Sequence, residues 1–205
     1  MEKIVVSDTN IFIDLISVDL LTDFFKLPWE IHTTDMIIHE LLIAEQQEAI
    51  RVFEEEGRLL VKKHSSKEMV ELAVMRMEAS KTSNASIQDC SVWKLAKDMG
   101  CSLLTGDGKL RKIVQKDEVE VHGILYLFDK LLDHDIIDSE TAIEGWKLSR
   151  ILILVCQKMK SISEFIDGRR KNKILPLEFF YKSAWKLKVS AHFFKFLAFS
   201  LNYFP

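Results

Sequence analysis

The chain has 205 residues, of which 48% are hydrophobic and 29% charged, a composition typical of a globular protein large enough for one substantial core. Its formal net charge of −3 argues against a non-specific nucleic-acid binder held by a basic surface. It does not argue against an enzyme whose metal ions supply the positive charge.

Short apolar runs alternate along the chain with longer stretches of helical periodicity. The predicted strands are residues 4–6, 29–33, 59–61, 102–104 and 119–121. The first predicted helix spans about 12–25, the second begins at a cap on Asp35, and the third ends at Gly57. The next begins at Ser66, and two more run from Ser86 to Gly100 and from Gly123 to about Asp133. A last helix begins near Ser139. This alternation predicts a single α/β domain over residues 1–148, with a mainly parallel central sheet flanked by helices on both faces.

Four carboxylates are expected at one edge of this sheet. Asp8 follows the first strand and Asp107 follows the strand at 102–104. Asp89 lies in the first turn of a helix, and Glu40 lies early in another. Because strand ends and helix starts share the carboxyl edge of a parallel sheet, all four side chains can converge there.

Converging carboxylates repel one another unless a cation lies between them. Mg²⁺ and Mn²⁺ prefer oxygen ligands, and no grouping of His and Cys indicates zinc. Two such ions about 3.5–4 Å apart could hold the attacking water and the leaving oxygen of a phosphodiester. Each residue also has a purely structural interpretation: Asp8 and Asp107 as turn formers, Asp89 in a capping box, and Glu40 on a solvated helix face.

Four ordered motifs resemble those of PIN-domain ribonucleases. They are V-V-S-D-T-N at Val5–Asn10, the acidic residue Glu40, S-x-x-D at Ser86–Asp89, and L-L-T-G-D at Leu103–Asp107. The chain is especially similar to the toxins of bacterial type II toxin–antitoxin pairs. The resemblance implies Mg²⁺- or Mn²⁺-dependent cleavage of single-stranded RNA, a homodimer, and an antitoxin protein as partner, with no membrane involved.

Carried onto this sequence, the resemblance makes four residues both catalytic and metal-binding: Asp8, Glu40, Asp89 and Asp107. Asn10 and Thr105 would support them through hydrogen bonds. An activated water would attack phosphorus and leave a 5′-phosphate and a 3′-hydroxyl. The family often has another acidic or polar residue soon after the last aspartate, whereas Gly108-Lys109-Leu110-Arg111 follows here.

Basic residues could contact RNA phosphates, although a solvated basic helix face explains them as well. The candidates are Lys109, Arg111, Lys112, Arg76 and Lys81. We therefore expect a metal-dependent endoribonuclease. The alternative is a catalytically silent PIN-like module that binds RNA or protein. A phosphatase of the haloacid-dehalogenase kind is disfavoured, because it needs a second aspartate where Asn10 stands.

The last part of the chain, residues 149–205, does not fit this pattern. Residues 151–205 carry 10 Lys and Arg against 3 Asp and Glu, together with 8 of the 13 Phe. Such a tail could bind RNA or a membrane surface. A further hypothesis is a shifted reading frame after about residue 150, since an adjacent frame can encode a polar, Pro-containing helix entry. A tail of that kind would be poorly packed.

The cysteines and the N terminus bear on the compartment. Cys90, Cys101 and Cys156 form no CxxC pair, which indicates reduced thiols in a cytoplasmic protein. Glu2 and Asp8 interrupt the N terminus, so it does not resemble a signal peptide. No uncharged apolar run reaches the roughly 18–20 residues of a membrane span.

Overall fold

The structure is a computed structural model that describes residues 3–81 and 83–149. Its five described strands form one sheet in which every neighbouring pair is parallel. The strands are β1 (Lys3–Ser7), β2 (Trp29–Thr34), β3 (Leu59–Lys62), β4 (Ser102–Leu104) and β5 (Val121–His122). The predicted α/β fold is therefore confirmed.

Helices connect the strands. They are α1 (Thr9–Ser17), α2 (Leu21–Phe24), α3 (Asp35–Glu40), α4 (Ala44–Glu55), α5 (Ser66–Ala79), α6 (Ile87–Met99), α7 (Gly108–Val114) and α8 (Ile124–Asp133). A 3₁₀ turn at Gln115–Asp117 follows α7, and residues 139–149 are helical and are called α9. The proposals about the tail fall on residues 150–205 and lie outside the described residues.

Both faces of the sheet are covered. Successive residues of a strand point to opposite faces, yet Val5, Val6 and Ser7 of β1 are all fully buried. The three residues of β4 are buried as well. This burial on both sides explains why β1 and β4 read as continuous apolar runs rather than as an alternating pattern.

The strand order, β3-β2-β1-β4-β5, places a topological switch point between β1 and β4. The chain leaves β1 toward β2 and β3 and later returns to β4 on the other side of β1. Open α/β sheets bind their ligands in the crevice at such a point, outside the carboxyl ends of the strands. The turns after β1 and β4 therefore flank the expected site.

The predicted helix over residues 12–25 is wrong in one respect, because the structure divides it into α1 and α2. Asp19 adopts the left-handed conformation, with φ of 59°. The N–H of Leu20 then bonds the carbonyl of Leu15. The apolar residues on both sides of the break hide it from a periodicity analysis. The last strand also lies at Val121–His122 rather than at 119–121.

The helix after β2 is shorter than predicted and is capped by a different residue. Thr34, not Asp35, is its N-cap, since Thr34 Oγ1 accepts the N–H of Ile37. Asp35 instead pairs with the His64 Nδ1 at 2.8 Å. The helix ends at Glu40. Glu40 is therefore its last residue, and the prediction that it lies early in the helix is wrong.

Candidate functional site

Asp8 lies at the centre of the candidate site. It follows β1, caps α1, and is 4% exposed. Its Oδ1 accepts the N–H of Thr9 at 2.8 Å, and its Oδ2 accepts Asn10 Nδ2 at 2.6 Å. Its own N–H donates to the carbonyl of Leu104 at 3.0 Å, which fixes it beside the end of β4.

Thr105 joins the turn after β4 to Asp8. Its fully buried hydroxyl donates to Asp8 Oδ2 at 2.7 Å and accepts the N–H of Asp107 at 3.0 Å. Asn10 Oδ1 accepts the N–H of Gly106 at 2.6 Å. Asn10 and Thr105 thus contact Asp8 in the manner that the resemblance implies for supporting residues. The two turns at the switch point form one hydrogen-bonded unit.

Glu40 reaches this unit from the end of α3. The hydroxyl of Thr9, the residue after Asp8, donates to Glu40 Oε2 at 2.5 Å. Glu40 comes from the connection after β2 and Asp8 from the connection after β1. The structure therefore brings together two carboxylates that are 32 positions apart in the sequence.

Asp89 and Asp107 each cap a helix with one carboxylate oxygen. Asp89 Oδ2 accepts the N–H of Ser86 at 2.7 Å, and Ser86 Oγ accepts the N–H of Asp89 at 2.9 Å, which is the predicted capping box. Asp107 Oδ1 accepts the N–H of Lys109 at 2.6 Å. None of the hydrogen bonds among the described residues uses the other oxygen of either carboxylate. A capping role therefore leaves each residue one oxygen for a ligand.

Electrostatics connect three of the four carboxylates. Burial raises the pKa of Asp8 from its ordinary value of 3.8 to about 6. The hydrogen bonds from Thr105 and from the N–H of Thr9 lower that pKa, whereas the nearby charges of Asp89 and Glu40 raise it further. Asp8 is thus a buried carboxylate in a negative field.

The donor chemistry of this set fits a hard divalent cation, since every candidate ligand is a carboxylate oxygen. The arrangement of these carboxylates is less compact than the ligand set of a complete metal centre. Across residues 3–81 and 83–149, no three His, Cys, Asp or Glu side chains are arranged so that they could hold a metal ion. Glu40 and Asp89 lie near Asp8, and the N–H of Asp107 bonds Thr105, but within the described residues the four carboxylates do not form a closed ligand cage.

Asp14 is a further carboxylate near this edge that the sequence analysis did not single out. It lies on α1 one turn after Asn10, and its Oδ2 would be 3.9 Å from a Cβ atom placed on Gly106. Burial raises its pKa to about 6, and none of the hydrogen bonds or ion pairs among the described residues involves its carboxylate. The sequence does indicate this position, because Asp14 lies four residues after Asn10 and residues at i and i+4 share a helix face.

The predicted RNA contacts differ in their surroundings. Lys109 and Lys112 are exposed on α7, whereas Arg76 and Lys81 are exposed on α5 and just after it. Arg111 is half-buried, and its guanidinium donates to the carbonyls of Val121 at 3.1 Å and Thr105 at 3.5 Å. Those two bonds hold α7 against the ends of β4 and β5. An RNA contact stays a prediction for all five basic residues.

The family profile described as PIN domain matches residues 4–145. The chain belongs to the PIN-domain family. The matched range contains both turns at the switch point and all four carboxylates. Among curated proteins, none matches the chain.

Two solved structures resemble this PIN-domain protein. The crystal structure of PAE2754 from Pyrobaculum aerophilum is 16% identical and has a TM-score of 0.44, with 65% of this chain and 99% of that one covered. The PilT N-terminus domain protein SSO1118 from Sulfolobus solfataricus P2 is 13% identical and has a TM-score of 0.37, with 64% and 95% covered.

Two further observations concern the compartment. None of the helices in the described ranges is long and apolar enough to cross a membrane. Cys90 and Cys101 are free thiols, and burial raises the pKa of Cys90 to about 11. Cys156 lies outside the described residues.

Proposed function

We propose that this PIN-domain protein is a metal-dependent endoribonuclease that hydrolyses phosphodiester bonds in single-stranded RNA. One observation supports the proposal: Glu40 and Asp89, which come from separate connections of the fold, lie close enough to the buried Asp8 at the switch point of the sheet for their charges to raise its pKa. Asp8, Glu40, Asp89 and Asp107 are the proposed ligands of Mg²⁺ or Mn²⁺. PIN-domain folds are generally those of nucleases, and the resemblance supports RNA as the substrate.

The residues of the chain have distinct tasks in this reaction. When bound, the divalent ions supply a nucleophilic water and stabilise charge on the phosphate. Asp8 provides a negative charge at a fixed position, because Thr105 and Asn10 hold its Oδ2 from two directions. Asp89 and Asp107 contribute their oxygens that take no part in helix capping. A P–O bond forms to water as the P–O3′ bond breaks, which leaves a 5′-phosphate and a proton on the 3′-oxygen.

The test is cleavage of a labelled single-stranded RNA by the full chain with Mg²⁺, Mn²⁺ or excess EDTA. We expect cleavage with either metal and none in EDTA. Asp8→Asn and Asp89→Asn should abolish it. Asp129→Asn, an exposed residue on α8, removes the same charge away from the site and should cleave normally. Cleavage by Asp8→Asn in excess EDTA would overturn the proposal.

A silent PIN-like binding module is the second candidate. The absence of a ready three-residue metal cage within the described residues favours it. Such a module would bind RNA or a protein partner with no hydrolysis at any metal concentration. Isothermal titration of Mn²⁺ into the full chain separates the two functions. The nuclease should bind Mn²⁺ and lose that binding in Asp8→Asn, whereas the silent module should show no site that depends on Asp8.

The biological setting is a further part of the proposal. We propose a cytoplasmic toxin that acts as a homodimer and is neutralised by an antitoxin protein encoded beside it. The free thiols of Cys90 and Cys101 support a reducing compartment. Expression of the chain alone should arrest growth, and co-expression with the neighbouring small reading frame should restore it. Light scattering of the purified chain tests the dimer.

A further inference from the structure

A groove lies between α7 and the segment that links α5 to α6. Its volume is about 570 Å³, and we call it the lysine groove. Three lysines and four smaller side chains line it: Lys109, Lys112, Lys116, Ser80, Ser83, Asn84 and Ile113. The carboxylate site does not include any of these side chains.

The three lysines share one face of α7 and the turn that follows it. Lys109 and Lys112 lie three residues apart on α7, about 60° apart around its axis, and Lys116 follows in the 3₁₀ turn, so that the three span about 10 Å along the chain axis. All three are exposed. None of them takes part in the ion pairs found among the described residues, whereas Lys94, Lys97 and other surface lysines do. The groove therefore holds three positive charges that no acidic side chain of the described residues neutralises.

The lysine groove begins beside the proposed catalytic carboxylates. Asp107 caps α7 and accepts the N–H of Lys109 at its first end. On the opposite wall, Asn84 precedes by two residues the Ser86 that bonds Asp89. Both sides of the groove therefore continue from the residues that begin α6 and α7 beside these carboxylates.

The lining chemistry fits phosphates rather than bases. Ammonium groups, two hydroxyls and an amide line the groove together with Ile113, which is 8% exposed. The described lining residues include no aromatic side chain on which a base could stack. Lysine contacts to phosphate are independent of sequence. Three phosphates span about 7 Å at about 3.4 Å of rise per nucleotide, which is less than the roughly 10 Å between the first and last lysine by a difference that flexible lysine side chains take up.

We propose that the lysine groove binds the phosphate backbone of single-stranded nucleic acid on one side of the carboxylate site, with Lys109, Lys112 and Lys116 contacting successive phosphates. The proposal rests on the proposed function, because it takes the nuclease substrate as the ligand. It adds the path of the strand and one new contact residue, Lys116. Along this path the protein contacts phosphates and does not contact bases.

The test is binding of a fluorescein-labelled single-stranded RNA to the full chain in EDTA, measured by anisotropy over a salt series. The variant replaces Lys109, Lys112 and Lys116 by Ala. The control replaces Lys26, Lys94 and Lys130 by Ala, because their ion pairs involve no residue of α7 or of the turn that follows it. Thermal unfolding checks that both triple variants are folded.

We expect the groove variant to lose at least about tenfold in affinity, with a salt slope reduced by about 2, because each lost phosphate contact removes about 0.7 in single strands. The control should change little by comparison. Single-stranded DNA of the same sequence should show the same relative loss. Equal binding by the two triple variants, or a loss confined to one of the two nucleic acids, would overturn the proposal.

Binding in EDTA requires no hydrolysis, so the two proposals fail separately. A wild-type chain that binds RNA through the groove but never cleaves it would refute the nuclease and leave the groove intact. A chain that cleaves RNA while the groove variant binds like the control would refute the groove alone.

Discussion

Asp14→Asn is expected to stabilise the metal-free protein at neutral pH. The carboxylate of Asp14 is held in a largely buried position, and burial raises its pKa from 3.8 to about 6. The folded state therefore binds the proton more tightly than the unfolded chain does. Stability that is present below about pH 4 is lost as pH rises to about 6, because folding must then accommodate a buried charge.

The magnitude follows from the shift. A difference of about 2 pKa units corresponds to about 3 kcal/mol of unfolding free energy at pH 7, since one unit is about 1.4 kcal/mol. Asparagine has nearly the same shape and cannot ionise. It breaks no hydrogen bond to the Asp14 carboxylate within the described residues. We therefore expect the variant and the wild type to be equally stable at pH 4. At pH 7, the unfolding free energy of the variant should be higher by about 3 kcal/mol.

The assay is urea unfolding in EDTA at a series of pH values. Asp8 carries a shift in the same direction, so the wild-type profile alone mixes two groups. The difference between the variant and the wild type isolates Asp14. Asp19→Asn, an exposed position after α1, removes the same charge from the surface and is the matched control. A pH-independent difference for Asp14→Asn, or a less stable variant at pH 7, would refute the reasoning.

Three other perturbations test the Thr105 hydrogen bond to Asp8, the packing of Gly145 on Phe128, and metal binding. Thr105→Val should lower the unfolding free energy by about 1–3 kcal/mol and raise the pKa of Asp8 above about 6, because the lost hydroxyl donated to that carboxylate. Urea unfolding measures the first effect and a carbon-13 carboxyl titration the second. An unchanged pKa of Asp8 would contradict this prediction. Gly145→Ala should lower the melting temperature, since the new Cβ would lie 3.0 Å from the Phe128 ring. Overpacking costs about 1–3 kcal/mol, which exceeds the helix-propensity gain of about 1 kcal/mol. A raised melting temperature would contradict this prediction. Under the proposed function, Mn²⁺ at about 100 times its Kd should stabilise the wild type by about 2.7 kcal/mol, and Asp8→Asn should not respond; an equal response would place the ion elsewhere.

The parts of the fold that the sequence predicts well depend on local chemistry. Ser86 and Asp89 form their capping box because both hydrogen bonds lie within four residues. Gly100 ends α6 with φ of 61°, a conformation that glycine adopts at little cost. Each of these signals is complete in a short stretch of chain. The parallel sheet follows from the alternation of such stretches.

Other features depend on contacts that short stretches do not contain. The strand order has no local signal, although it creates the switch point between β1 and β4. The break at Asp19 lies inside an apolar pattern that reads as one helix. Asp14 looks like a polar residue on a helix until Gly106 is known to pack against the same face. Arg111 reads as an exposed cation, whereas Thr105 and Val121 accept its hydrogen bonds.

The energetics of Asp8 link the fold to its proposed chemistry. A carboxylate that is 4% exposed and lies near the charges of two others is destabilising in its ionised form. Among the described residues, the donors to the Asp8 carboxylate are the N–H of Thr9, the Asn10 amide and the Thr105 hydroxyl, and all three are neutral groups. They orient the carboxylate but leave its charge uncompensated. A divalent cation would supply that charge, and it would compete with a proton for Asp8. We therefore expect metal affinity to weaken as pH falls through about 6.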